Sequence, residues 1–307
     1  MIELRHLADR TLALGFGGDT LNTAVYLARY GPASGATVHY ATVLGDDAYS
    51  DEMVRGWRAE GIATDLVARL PGGLPGLYII RTGDDGERSF VYYRSASAAR
   101  RLFDDDVDGG LGARLAGFAW LYLSGITLSI LDPSARTRLW ATLDDARRQG
   151  ARVAFDTNYR PAGWADPGAA RAGLRTTLER VDLALPSLDD EQRLFGDADA
   201  RACAQRLHAG GVGEVVVKQG AGGCLVSTGG RAVHVPATRP VEPVDTTAAG
   251  DAFNAAYLAA RLRGAAPEAA ARCGHRLAGA VVRHAGAIIP AAATPPLDLP
   301  GHDGAGP

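Results

Sequence analysis

Four short apolar runs, Trp120–Leu123, Val153–Phe155, Leu183–Leu185 and Val215–Val217, recur along this chain with mostly helical stretches between them. Runs that are apolar at every position suit strands buried on both faces. Their alternation with helices predicts βαβ units and a mostly parallel sheet covered by helices. An earlier stretch differs. Leu77–Arg81 and Ser89–Arg94 are β-rich and flank Gly83-Asp84-Asp85-Gly86, a hairpin turn signal. Open α/β sheets bind ligands at the carboxyl ends of their strands. A hairpin projecting from that edge predicts a lid that excludes water from the site.

A chain of 307 residues with 47% hydrophobic content fits one large α/β domain, or one with a small appendage. The net charge of −3 leaves no electrostatic footprint for nucleic acid. Cys203, Cys224 and Cys273 are odd in number and show no C-x-x-C spacing, which excludes a disulfide framework and points to a reducing cytoplasm. The seven histidines show no metal-ligand spacing. Met1–Arg10 carries charges throughout and does not read as a signal peptide. No uncharged apolar segment reaches the roughly 18 residues needed to span a bilayer, so a soluble protein without a membrane partner is expected. Lys218 is the single lysine among 32 basic residues.

Chemistry is concentrated near the C-terminal end. Val244-Asp245-Thr246-Thr247-Ala248-Ala249-Gly250-Asp251 runs into Phe253, Ala256, Tyr257 and Ala260, whose spacing predicts a helix from about Ala249. Three small residues, Ala248, Ala249 and Gly250, therefore sit where the first amides lack internal partners. Small side chains admit an anion there, and the helix dipole favours it. The carboxylate of Asp251 would repel that anion unless it had another task, such as accepting a proton from an attacking hydroxyl. The pattern suggests phosphoryl transfer. Taken alone, Thr246–Gly250 also fits an ordinary tight turn.

Near the other end, Gly15-Phe16-Gly17-Gly18-Asp19-Thr20 precedes Leu21, Ala24, Val25 and Ala28 at helical spacing. Asp19 or Thr20 is expected to cap that helix, and Gly31-Pro32 to end it. Val38–Val43 reads as a strand and Tyr49–Glu60 as a helix. A last long helix carries Cys273, Leu277, Ala280, Val281 and His284 on one side. The Pro- and Gly-rich residues 291–307 read as a disordered tail.

Three stretches together resemble the ribokinase-like (PfkB) sugar kinase family. They are Gly17-Gly18-Asp19-Thr20-Leu21-Asn22-Thr23-Ala24, Val217-Lys218-Gln219-Gly220-Ala221-Gly222-Gly223, and Asp245 to Leu258. Further details resemble the branch of that family that phosphorylates 2-keto-3-deoxygluconate. These are Leu-Pro-Gly-Leu-Tyr at 74–78, Tyr92-Tyr93-Arg94, Asp156-Thr157-Asn158-Tyr159-Arg160-Pro161 with Trp164, and the Thr-Thr-Ala-Ala-Gly-Asp form of the anion loop.

The resemblance implies a three-layer α/β/α sandwich with a mostly parallel central sheet. It would form a single domain over 1–290, with a β lid mainly from about 9–18 and 66–95. It implies ATP-dependent transfer to the terminal (6-) hydroxyl of 2-keto-3-deoxygluconate, with Asp251 as base and Ala248, Ala249 and Gly250 as anion hole. Gly18, Asp19, Asn22, Tyr78, Tyr92, Arg94 and Arg160 would bind substrate. The two guanidiniums suit a carboxylate, which they bind with a planar fork. Asn158, Lys218, Gly220, Gly222 and Gly223 would bind nucleotide. Mg²⁺ would be organised indirectly, with Asp190 and Glu191 both open as the carboxylate, because Ser187-Leu188-Asp189-Asp190-Glu191 departs from the family's Asn-x-x-Glu. A homo-oligomer is implied as well.

Two other departures matter. Relatives carry a strand and a Gly-Glu turn before the segment that Met1-Ile2-Glu3-Leu4 resembles, so one buried strand of the sheet is expected to be missing and a start upstream of Met1 is expected. Ala248 stands where many relatives have glycine, which restricts φ. The alternatives are a kinase of fructose or another neutral sugar, and a catalytically silent nucleotide- or sugar-binding protein.

Overall fold

The computed structural model describes all residues except 8–9, 83–87, 105–106, 108, 238–241 and 300–307, so the expected turn at Gly83–Gly86 lies outside the described residues. The strands in chain order are β1 (Ile2–His6), β2 (Leu12–Phe16), β3 (Thr42–Leu44), β4 (Val67–Arg69), β5 (Leu77–Thr82) and β6 (Arg88–Tyr93). They continue with β7 (Trp120–Ser124), β8 (Arg152–Asp156), β9 (Leu183–Ala184), β10 (Glu214–Lys218), β11 (Cys224–Thr228) and β12 (Arg231–Val235).

The apolar runs form one sheet in the order β12-β11-β10-β9-β8-β7. Its β7 to β10 pairs are parallel, and β11 and β12 add an antiparallel edge. Successive side chains point to opposite faces, and here both faces are buried. Val153, Phe155, Val215 and Val217 pack on one side with Leu139, Leu143, Leu174 and Leu207 of the helices Pro133–Arg148, Pro167–Leu178 and Ala200–Ala209. Ala154 and Val216 face the other way, onto Ala256, Tyr257, Leu277 and Val281 of the helices Ala249–Leu262 and Pro267–Val281. Continuous hydrophobicity thus gives three layers.

The expected strand over Val38–Val43 is shorter: only β3 forms, parallel to β4, while His39 makes an isolated bridge to Ala63. Among the described residues no backbone pairing joins β3–β4 to β7, and the two form separate sheets. A cleft of about 460 Å³ lined by Tyr40, Ala41, Leu66, Leu121 and Leu123 lies beside them.

The lid is a four-stranded sheet, β2-β1-β5-β6. Its extent corrects the expectation in two ways. Val67–Arg69 pairs with Thr42–Leu44 instead of joining the lid, and Ile2–His6 lies in the lid's middle, antiparallel to β2 and parallel to β5. Cross-strand register puts Leu4, Leu14, Ile79 and Val91 on one lid face and Glu3, Tyr78 and Tyr92 on the other.

Some helix starts are capped by side chains and others are not. Asp47 caps the helix Ala48–Ala59 through the amides of Tyr49 and Ser50. The helix Asp19–Arg29 instead begins after Gly18 at φ 148° with no side-chain cap, because the Asp19 carboxylate accepts a hydrogen bond from the Ser124 hydroxyl. The segment after Pro290 is also corrected. Leu297 and Leu299 pack on the core, the Pro295 carbonyl accepts from Tyr30 Oη at 2.8 Å, and that of Asp298 from Arg276 at 2.5 Å. Two leucines and satisfied carbonyls hold residues 291–299 against the body, while 300–307 lie outside the described residues.

Candidate active site

Strands β7, β8 and β10 end at Ser124, Asp156 and Lys218, and beyond those carboxyl ends opens a cavity of about 960 Å³. It is lined by Gly18, Asp19, Asn22, Tyr78, Tyr92, Arg94, Asn158, Arg160, Lys218 and residues 246–251. Segments far apart in sequence therefore share one hollow.

Its floor is the start of the helix Ala249–Leu262. The chain turns into that helix through Ala248 in the left-handed region, φ 61° and ψ 11°. Asp245 ties the preceding loop down by accepting from the Thr247 amide at 2.9 Å and the Gly286 amide at 2.5 Å. The Ala249 amide bonds the Thr246 carbonyl at 3.2 Å and the Ala252 amide bonds that of Ala248 at 2.8 Å. Gly250 and Asp251, in the first turn between them, have no intrahelical acceptor for their amides. Of the three small residues expected to form an anion hole, Ala249 thus has its amide partly engaged.

Beneath this turn lies a buried polar cluster. Lys218 Nζ donates to Asp156 Oδ2 at 2.7 Å and to Asn254 Oδ1 at 3.1 Å. Asn254 Nδ2 in turn donates to Asp156 Oδ2 at 2.7 Å and to Tyr122 Oη at 3.0 Å. A Cβ on Gly250 would stand 3.5 Å from the ammonium, so the cation lies directly under the helix start. Lys218 does not end the strand in solvent; its charge is matched by Asp156.

Asp251 is half-buried and accepts from Asn22 Nδ2 at 2.8 Å. Asn22 Oδ1 accepts from the Gly18 amide at 3.3 Å, so the early glycine turn holds the amide that holds the carboxylate. Burial, and then the neighbouring Asp19, push the Asp251 carboxyl up to about 7, against the favourable Asn22 bond. Burial likewise raises Asp19 above its usual range. A carboxylate poised near neutrality beside free amides suits proton abstraction next to an anion.

Residues on and just after the four-stranded sheet line the cavity as well. Tyr78 is buried and donates its hydroxyl to Glu3, while the Arg94 guanidinium stacks 4.5 Å from the Tyr92 ring centroid. Opposite, Arg160 Nη1 donates to the Tyr159 carbonyl at 2.9 Å and pairs with Asp190 at 3.0 Å.

Two groups of expected residues stand elsewhere. Glu191 is 1% exposed, accepts from the Thr157 hydroxyl at 2.5 Å, and pairs with Arg206 at 2.6 Å; it is absent from the cavity lining. It braces the turn after β8 through Thr157. Gly220, Gly222 and Gly223 also fall outside the lining. Gly223 is required by packing, since a Cβ there would lie 2.3 Å from the Val235 carbonyl oxygen. Among the described residues, Asp156, Asp190 and Glu191 are each paired with a cation, so none is a free ligand for Mg²⁺. Sequence reasoning missed Glu3, Asp156 and Asn254. The last two lie inside motifs quoted above, and their only signal was that buried polar groups need partners.

Residues 4–294 match the model of the pfkB family carbohydrate kinases. The chain is 46% identical over 298 residues to a 2-dehydro-3-deoxygluconokinase of Escherichia coli K12, covering 96% of each. It is similarly 46% identical to the 2-dehydro-3-deoxygluconokinase of Dickeya dadantii, with 96% of each chain covered. Among solved structures, a fructokinase with bound ATP from Xylella fastidiosa superposes with a TM-score of 0.82 at 25% identity, covering 97% of this chain and 93% of that one. The glycine turn that holds Asn22, the helix start at Asp251 and the lidded parallel sheet thus occur in a chain that belongs to the pfkB family of carbohydrate kinases.

Proposed function

We propose that this protein transfers the γ-phosphoryl group of ATP to the 6-hydroxyl of 2-keto-3-deoxygluconate, giving 2-keto-3-deoxy-6-phosphogluconate. The observation that carries this reading is Asp251, held near neutral pKa at a helix start, in one cavity with two guanidiniums. The identity to 2-dehydro-3-deoxygluconokinases supports the same substrate.

In this reading Asn22 orients Asp251, which takes the proton from the 6-hydroxyl as it attacks. The amides of Ala248, Gly250 and Asp251, with the helix dipole, stabilise charge on the group in transfer. Lys218 adds positive charge under that turn, reduced by its Asp156 partner. Gly18, Asp19, Tyr78 and Tyr92 line the sugar, and Asn158 with the Gly220–Gly223 turn serves the nucleotide. Arg94 is assigned the main contact to the sugar-acid carboxylate, since Asp190 already offsets the charge of Arg160. The cavity is large enough for both substrates. Mg²⁺ arriving with the nucleotide would supply neutralisation of the phosphate charge. The paired carboxylates here suit a metal held by phosphate oxygens and water, with Asp190 acting at most through water.

We also propose a single domain over 1–290 with its lid, acting in the cytoplasm without nucleic acid. No helix among the described residues is long and apolar enough to cross a membrane. The outer lid face supports a homo-oligomer: Leu12, Leu14, Val91 and Tyr93 are 44–59% exposed on one sheet, an apolar surface suited to a second copy.

A coupled ATP-turnover assay on 2-keto-3-deoxygluconate, 2-keto-3-deoxygalactonate, fructose, ribose and adenosine tests the reading. The expected result is the highest kcat/KM on a keto-deoxy sugar acid. Preferred turnover of fructose would replace it with the neutral-sugar reading, and no turnover of any would favour a silent binding protein.

A further inference from the structure

We infer that Glu3 is a positioning residue that fixes the polarity of Tyr78, making the Tyr78 oxygen a hydrogen-bond acceptor that receives a substrate hydroxyl at the lid. The inference rests on the sugar-acid reading above and deepens it to the orientation of the substrate.

Three observations carry it. Glu3 and Tyr78 are register partners across the parallel strands β1 and β5, both buried, at 8% and 6% exposure, and the Tyr78 hydroxyl donates to Glu3 Oε2. An ionised carboxylate only accepts, so the tyrosine proton is committed to Glu3 and what remains on Oη is acceptor capacity. Next, the hydroxyl is wedged in place. A Cβ on Gly17 would lie 2.5 Å from Tyr78 Oη, so the backbone at Gly17 closes against that side of the hydroxyl and a side chain there would push it. Lastly, Tyr78 lines the cavity together with Asn22, Arg94 and Asp251. Burial and the Glu3 charge together push the Tyr78 hydroxyl far above the usual tyrosine range, which keeps its proton in place for Glu3.

The consequence is a directional lid. An acceptor at Tyr78 welcomes a hydroxyl and repels a carboxylate or carbonyl oxygen, whereas the donors of Arg94 do the reverse. A linear or cyclised sugar acid is then seated one way round, with its acid end at Arg94 and its hydroxyl-bearing end toward Tyr78 and Asp251. Without Glu3 the Tyr78 hydroxyl rotates and can donate, and the discrimination is lost. Glu3 acts through Tyr78 and does not touch the substrate.

The test is a double-mutant cycle in the full chain, with Glu3→Gln, Tyr78→Phe and both together, at saturating Mg-ATP with 2-keto-3-deoxygluconate varied. Hydrogen bonds involving a charged group correspond to about 10–100-fold in affinity. Each single variant is therefore expected to raise KM by about that factor while kcat stays within about threefold. The double variant is expected to be no worse than Tyr78→Phe alone, because the Glu3 effect passes through the missing hydroxyl. Multiplying effects in the double variant would overturn the inference, as would an unchanged KM in Glu3→Gln. Should Glu3→Gln melt more than about 5 °C below the parent (about 1–2 kcal/mol), the cycle is run with Glu3→Asp, whose carboxylate is one methylene short. If the parent turns over fructose and not the sugar acid, the function reading fails while the cycle is read on fructose.

Discussion

The Asp251 carboxyl stands near 7 instead of its ordinary 3.8, and that displacement is about 3 pKa units, or about 4 kcal/mol disfavouring its charged form. Burial is the largest cause and the Asp19 carboxylate the second. Below pH 7 the free enzyme carries the protonated acid, which cannot take a proton from the substrate. The logarithm of kcat/KM should therefore rise with unit slope up to about pH 7 and level off above it. Asp19→Asn removes the like charge but not the burial, so the limb should move down by about one unit, with the plateau falling several-fold as the base weakens. Asp251→Asn should lower kcat by about 10²–10⁴-fold and abolish the limb. The assay is coupled ADP detection from pH 5.5 to 9, with coupling enzymes in excess at every pH. A limb that stays at the same pH in Asp19→Asn would refute the electrostatic argument. A loss below tenfold in Asp251→Asn would remove Asp251 from the role of base.

Other expectations follow from the same geometry. A carboxyl whose folded pKa is raised stabilises the fold fully below its unfolded value near 4, and that contribution is lost as pH rises from there through about 7. Asp251→Asn should thus melt a few degrees above the parent at pH 8 and level with it below pH 4. Ala248→Gly removes an alanine from φ 61°. Relief of about 1–2 kcal/mol, less about 0.5–1 for glycine's unfolded-state entropy, should appear as a small gain in denaturant midpoint. Lys218→Met leaves Asp156 buried without its cation and should cost about 3–5 kcal/mol in denaturant unfolding. Arg94→Ala should raise KM for the sugar acid by about 10–100-fold and for fructose by less than about threefold; Arg160→Ala should do less, since Asp190 holds that guanidinium.

Local pattern carried much of the fold. Strands such as Val153–Phe155 and Val215–Val217 are apolar on both sides because helices cover both, and no tertiary knowledge was needed to see that. The helix starting at Ala249 was equally legible, since periodicity and small residues meet at one point. What escaped depended on partners with no local signature. Asp19 reads as a cap from its position, yet the hydroxyl of Ser124, 105 residues away, takes it. Glu191 reads as a metal-side acid, but Arg206 sits one helix further on and claims it. Proline and glycine content marked residues 291–299 as loose, while two leucines and the carbonyls of Pro295 and Asp298 hold them to the body.

The same distinction explains why the candidate site was readable as a list but not as a mechanism. Asp251 and Asn22 were each visible in a motif, and their separation of 229 residues hid the bond between them. That bond stabilises the carboxylate form, whereas burial and Asp19 oppose it more strongly. A neutral-range base therefore arises from segments acting in opposite senses: the helix start that buries Asp251 and the nearby Asp19 raise its pKa, while Asn22, seated by the glycine turn, holds it down. Each segment alone gives an ordinary acid or amide. Their sum moves a proton affinity by about three units, worth about 4 kcal/mol, and a change in any one should move the pH limb before it moves the fold.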